Sequence, residues 1–198
     1  MFTHPPVTYD VNMLCEHYLH ILYRDVKVNH QQMTINETYG EILYSGLCKI
    51  ITSLMPSRDD ILYDLGSGLG KAALQIFFTT TMKRVHGIEL IPTLHQEAVV
   101  ALEKSKLDIP LFFSERTMSF ECGDFLKASI ADASIVLVGS PCFSPSLLRE
   151  LAHKLDSNLK THTVLSLKTL PLNTFMFRKV IRVECSWDTA LCYVYERN

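Results

Sequence analysis

Several absences narrow the field before any motif is read. No apolar run approaches the roughly 20 residues that a membrane-spanning helix needs, so no membrane partner is expected. The amino terminus, Met1-Phe2-Thr3-His4-Pro5-Pro6, has no basic segment leading into an apolar one, and reads as belonging to an intracellular, cytoplasmic chain. The six cysteines include no C-x-x-C pair. No metal site is therefore expected, and reduced, buried thiols are the favoured reading. Positive charge is not in excess: 19 Lys and Arg stand against 21 Asp and Glu, a net charge of -2. A chain without basic segments has few charges with which to displace counterions, so strong nucleic-acid binding is not expected. Internal repeats and low-complexity tracts are absent too.

What is present is apolar material: 47% of the 198 residues are hydrophobic, enough for a sizeable core in one domain with a helical extension. The informative stretch is Ile61-Leu62-Tyr63-Asp64-Leu65-Gly66-Ser67-Gly68-Leu69-Gly70-Lys71. A short apolar run reads as a buried strand that ends in an aspartate and a glycine turn. Ala72 to Phe78 follows, without glycine or proline, as a helix. Strand, glycine turn and helix bring backbone N–H groups close to a nucleotide-like ligand. The dinucleotide fingerprint G-x-G-x-x-G would need its last glycine where Lys71 stands. The G-x-G-x-G spacing, with an aspartate closing the strand, fits S-adenosylmethionine (SAM) better than a pyrophosphate. A plain βα turn is the alternative.

The flanking chain builds on this centre. Residues 11–25 carry Val11, Leu14, Tyr18, Leu19 and Leu22 at near-helical spacing. A helix over 41–55 is expected from Ile42, Leu43, Leu47, Ile50, Ile51 and Leu54, stopped by Pro56. Tyr39-Gly40-Glu41 would start it, and Tyr39 could lie over the methionine tail of SAM. Arg84 to Glu89 reads as a second strand ending in an acid 21 residues beyond Gly68, the interval that sets a carboxylate beside a ribose. A helix over 92–106 and a strand over 118–122 lead to Gly123-Asp124-Phe125. There Asp124 can accept from an adenine amino group while Phe125 packs on the ring. The run 134–138 is apolar throughout, as a central parallel strand should be. It opens into Gly139-Ser140-Pro141-Cys142-Phe143, a loop expected beside the reacting methyl. Ser144 is placed to cap a helix over 145–157, with Pro145 at its first position. A strand over 163–168 is followed by two closing strands, around 179–184 and 190–195, which flank Ser186-Trp187-Asp188. Trp187 and Tyr193 could line an acceptor pocket or simply cover a sheet edge.

Taken together these motifs resemble the disruptor-of-telomeric-silencing class of histone lysine methyltransferases, which lack a SET domain. The resemblance runs from Tyr39 to the carboxyl terminus. It rests on Tyr39-Gly40-Glu41, Asp64 to Gly70, Gly87-Ile88-Glu89, Gly123-Asp124-Phe125, Phe143-Ser144-Pro145, Ser166-Leu167-Lys168 and Ser186-Trp187. It implies an α/β fold: a Rossmann-like seven-stranded sheet, mostly parallel with an antiparallel C-terminal strand, plus N-terminal helices. Residues 1–56 would be a helical extension completing the cofactor site, and 57–198 the SAM-binding domain.

The resemblance also implies roles. Tyr39, Asp64, Gly66, Gly68, Lys71, Glu89, Asp124, Phe125 and Gly139 would bind the cofactor. Tyr39, Ser140, Trp187 and Tyr193 would stand at the methyl and the acceptor. A protein lysine would be the acceptor. The chain departs from the family pattern at three places: Gly139-Ser140 replaces an Asn-Asn that helps place methyl and amine, Ile42-Leu43 replaces Thr-Ser, and Lys71 replaces a glutamine. Methylation of a small molecule or nucleic acid on the same scaffold, or a catalytically silent SAM-binding domain, stay open as alternatives.

Overall fold

The structure is a computed structural model that describes residues 10–27, 40–139 and 142–198. Seven strands form one sheet in the order β3-β2-β1-β4-β5-β7-β6. β1 (Ile61–Leu65), β2 (Arg84–Glu89), β3 (Thr117–Cys122), β4 (Ile135–Val138) and β5 (Thr163–Ser166) are mutually parallel. β6 (Phe175–Glu184) and β7 (Thr189–Arg197) form a hairpin, and β7 runs antiparallel to β5. The architecture is the mostly parallel α/β sheet with a reversed C-terminal strand that the sequence implied.

Local chemistry accounts for the elements. All four residues of β4 and of β5 are buried, which is how a strand covered on both faces must read. One face of the sheet carries α1 (Val11–Tyr23), α2 (Tyr44–Leu54), α3 (Lys71–Thr79) and α4 (Pro92–Asp108) over a core that includes Leu47, Leu62, Phe77 and Val183. The other face is covered by α5 (Pro145–Ser157), packed on Tyr63, Val136, Val164 and Tyr195. α5 begins as expected, with Pro145 in its first turn and the Ser144 hydroxyl accepting from the Leu147 N–H at 3.3 Å.

Two expectations need correction. The helix expected over 41–55 starts at Tyr44, because Ile42 pairs in an antiparallel bridge with Cys185 and the Leu43 N–H donates to the Glu184 carbonyl at 2.8 Å. Backbone pairing with the β6–β7 turn wins over the helical spacing of those two side chains. In α1 the buried face is Cys15, Leu19 and Tyr23, whereas Val11 and Leu14 are more than half exposed. Among the described residues no helix is long and apolar enough to cross a membrane.

Candidate active site

The carboxyl ends of β1, β2, β3 and β4 lie side by side, and the loops that leave them form the site. The register pairs Leu65 with Ile88 and with Val138, so the glycine loop emerges between the ends of β2 and β4. Gly66, Gly68 and Gly70 all have positive φ, at 82°, 55° and 79°, a backbone that other residues adopt only with strain. The loop is braced on β2: the N–H groups of Gly66 and Ser67 donate to the Ile88 carbonyl at 2.8 and 3.1 Å. Phe143 lies directly against Gly66, where an added Cβ would be 3.1 Å from its Cζ.

Two carboxylates sit in this loop system. Asp64 is 3% exposed and Glu89 is 7% exposed. Glu89 accepts from the Gly68 N–H at 2.7 Å and from the Ile91 N–H at 2.8 Å. Asp64 receives no side-chain hydrogen bond from a described residue. Burial, reinforced by the Glu89 charge, pushes the Asp64 carboxyl up to about 7. Burial also raises Glu89, and its backbone N–H donors work against that rise. Asp64 is thus the more strongly perturbed member of the pair, because it lacks the backbone N–H donors that Glu89 has. In the same loop the buried Ser67 hydroxyl has no hydrogen-bond partner among the described residues.

The remaining candidates distribute around this centre. Asp124 accepts from the Leu126 N–H at 2.9 Å with one oxygen, organising its own turn at the end of β3. Phe125 is buried, with its ring centroid 5.4 Å from that of Phe143. Gly139 follows β4, and a Cβ built on it would meet no atom of a described residue within 4 Å. Lys71, the first residue of α3, pairs with Glu41 at 2.6 Å. Tyr193 is half-buried and level with Ser166 at the end of β5. Trp187 is 43% exposed in the β6–β7 turn, with its ring against Gly40. Tyr39 and Ser140 lie outside the described residues. Among the described residues no cluster of three His, Cys, Asp or Glu could hold a metal.

Three contacts were not anticipated. Tyr23 donates its hydroxyl to the Leu69 carbonyl at 2.7 Å, tying α1 to the glycine loop. Its place four residues after Leu19 and eight after Cys15 was the available signal. Phe143 as the cover of Gly66 and Ser186 as the partner of Glu41 depend on contacts between distant segments, and no local pattern announces them.

Residues 18–184 match the profile of the family described as histone methylation protein DOT1. The chain belongs to this family. A relative of this DOT1-family chain, the histone-lysine N-methyltransferase, H3 lysine-79 specific, of Drosophila melanogaster, is 26% identical over 186 residues. That alignment takes in 87% of this chain but 10% of the fly protein, so the chain spans about a tenth of that relative's length. Among solved structures, an RNA methyltransferase from Salinibacter ruber in complex with S-adenosyl-L-homocysteine superposes with a TM-score of 0.55 at 21% identity, covering 76% of this chain and 89% of that one. Magnesium protoporphyrin IX methyltransferase from Synechocystis PCC 6803 does so with a TM-score of 0.60 at 13% identity, covering 94% and 96%. These two likenesses establish that the DOT1-family chain has the class I methyltransferase fold.

Proposed function

We propose that this chain binds SAM at the carboxyl edge of its sheet and transfers the methyl group to a lysine side chain of a protein. The observation that carries the reading is the pair of buried carboxylates, Asp64 and Glu89, against a loop of left-handed glycines in a DOT1-family chain. SAM brings an ammonium, a sulfonium and a ribose. Asp64, desolvated and without a hydrogen bond from a described residue, suits the ammonium. Glu89 keeps spare lone pairs for ribose hydroxyls while it holds Gly68. The bare backbone at Gly66 and Gly68 allows close approach, and the unpartnered Ser67 hydroxyl is a further polar atom for a ligand or water. In this reading Asp124 and Phe125 serve the adenine end and Gly139 the methyl, while the roles implied for Ser140 and Tyr39 fall on residues outside the described ones.

When bound, SAM supplies a methyl group activated by its sulfonium. The protein's part is alignment and exclusion of water. A lysine acceptor must arrive neutral, and an aromatic entrance made by Trp187 and Tyr193 favours that by desolvating the ammonium. The name of the fly relative points to histone H3 as the acceptor to try first. Residues 1–56 are read as the part that completes the site over the sheet domain, residues 57–198. The six free cysteines fit a reducing compartment inside the cell, where cytoplasm and nucleus both qualify.

Calorimetric titration with SAM and transfer of tritium from labelled SAM into core histones test the reading. Saturable SAM binding and label in a histone lysine are the expected results. No heat with SAM would overturn the cofactor assignment. Label found only in RNA or a small molecule would overturn the acceptor assignment. SAM binding with no transfer to any substrate class would mark a silent SAM-binding domain.

A further inference from the structure

Lys71 and Glu41 join two parts of the site that the sheet does not connect. Lys71 directly follows the glycine loop as the first residue of α3, where a cation opposes the helix dipole. Its position therefore has another cause. Its Nζ lies 2.6 Å from the Glu41 carboxylate and 5.1 Å from the centroid of the Tyr23 ring. Tyr23 in turn holds the Leu69 carbonyl of the glycine loop. On the far side Glu41 is fixed to the β6–β7 turn: its N–H donates to the Ser186 hydroxyl at 3.1 Å, and its carbonyl accepts from the Ser186 N–H at 2.8 Å. The neighbouring Gly40 lies so close under Trp187 that a Cβ would come within 2.5 Å of the indole Cζ3. The contacts thus run without a gap from the glycine loop through Lys71 and Glu41 to Ser186 and Trp187. The two charged side chains are 35% and 22% exposed, so water only partly screens their attraction.

We propose that the Lys71–Glu41 ion pair positions Trp187 relative to the glycine loop, so that occupancy of the loop and the geometry of the acceptor entrance are coupled. Lys71 is a positioning residue, since it acts on Trp187 through Glu41. The catalytic meaning of the coupling rests on the function proposed above, whereas the mechanical coupling does not.

Trp187 is the chain's single tryptophan, so its emission reports on this one ring. The experiment compares the intact chain with K71M, E41Q and the charge-swapped K71E/E41K. Without ligand, K71M and E41Q are expected to shift Trp187 emission to the red and raise its quenching by acrylamide, with the far-ultraviolet dichroism unchanged. The swapped pair is expected to bring both readings back toward wild type. On addition of SAM, wild-type emission should change, whereas E41Q should bind SAM by calorimetry with most of that emission change lost. Should K71M fail to fold, K71R, which keeps the charge and should behave as wild type, and E41Q carry the same comparison. Folded K71M or E41Q with wild-type emission and quenching would overturn the proposal, as would a charge swap that restores nothing. If wild type gives no calorimetric response to SAM, the proposed function fails while the ligand-free comparison still decides the coupling.

Discussion

Replacing Asp64 with asparagine removes one ionisation and little volume, so its effect can be worked out. In the folded protein the Asp64 carboxyl is pushed from 3.8 to about 7 by burial and by Glu89. Between those values the folded state holds a proton that the unfolded chain has released. Stability therefore falls as pH rises through this window, and the loss is complete above about 7. At pH 8 the full displacement amounts to roughly 4 kcal/mol, and at pH 5 to roughly 2 kcal/mol. The Asp64→Asn protein lacks this titration. Its advantage over wild type should grow by about 2–3 kcal/mol from pH 5 to pH 8, several degrees of melting temperature in a chain of this size. The assay is thermal or urea unfolding of both ligand-free proteins at the two pH values. The difference between proteins is the quantity to read, because the other titrations largely cancel in it. The same variant should lose affinity for SAM, since an amide cannot neutralise an ammonium. Wild-type affinity should climb between pH 5 and 7 as the carboxyl gives up its proton, whereas that of the variant should change less. If both proteins shift in parallel between pH 5 and pH 8, Asp64 is not the desolvated acid described here and the argument fails.

Other expectations follow from single contacts. Tyr23→Phe removes the hydroxyl that holds Leu69 and should cost about 1–2 kcal/mol in urea unfolding, with weaker SAM binding by calorimetry because the glycine loop loses its brace. Gly70→Ala meets both a φ of 79° and the side chains of Phe120 and Ala98, and should lower stability by about 2 kcal/mol or more, read as a fall in melting temperature. Gly139→Asn should leave the melting temperature nearly unchanged, since a Cβ there meets no described residue within 4 Å; a large drop would contradict this expectation. Glu89→Gln replaces one carboxylate oxygen with a donor that cannot serve both the Gly68 and Ile91 N–H groups, and should weaken SAM binding while lowering stability by about 1–3 kcal/mol in the same unfolding assay.

What could be read in the sequence was what short-range rules write into it. The glycine turn, β2 closing on Glu89, and α5 with Ser144 before Pro145 each follow from backbone or capping chemistry within a few residues. Segments decided by distant partners were not legible. Ile42 and Leu43 share a helical spacing with Leu47, yet far downstream Glu184 and Cys185 offer backbone hydrogen bonds that hold them extended. In α1, Val11 and Leu14 suggest one apolar stripe and Cys15, Leu19 and Tyr23 another, and only the position of α3 and the glycine loop selects the second. Glu89 was read as a ligand for ribose, while its hold on Gly68 and Ile91 depended on a loop conformation that spacing does not reveal.

The strand order has a consequence for how the chain comes together. β7 follows β6 in sequence but lies inside it, between β5 and β6. During synthesis β6 is made with no strand available to pair with, and β5 presents an open edge until β7 arrives to fill it. Both vacancies close in the same event. The final part of the sheet should therefore assemble late and cooperatively, and a chain shortened within β7 would lose β6 from the sheet as well, carrying Trp187 away from the loops that it faces.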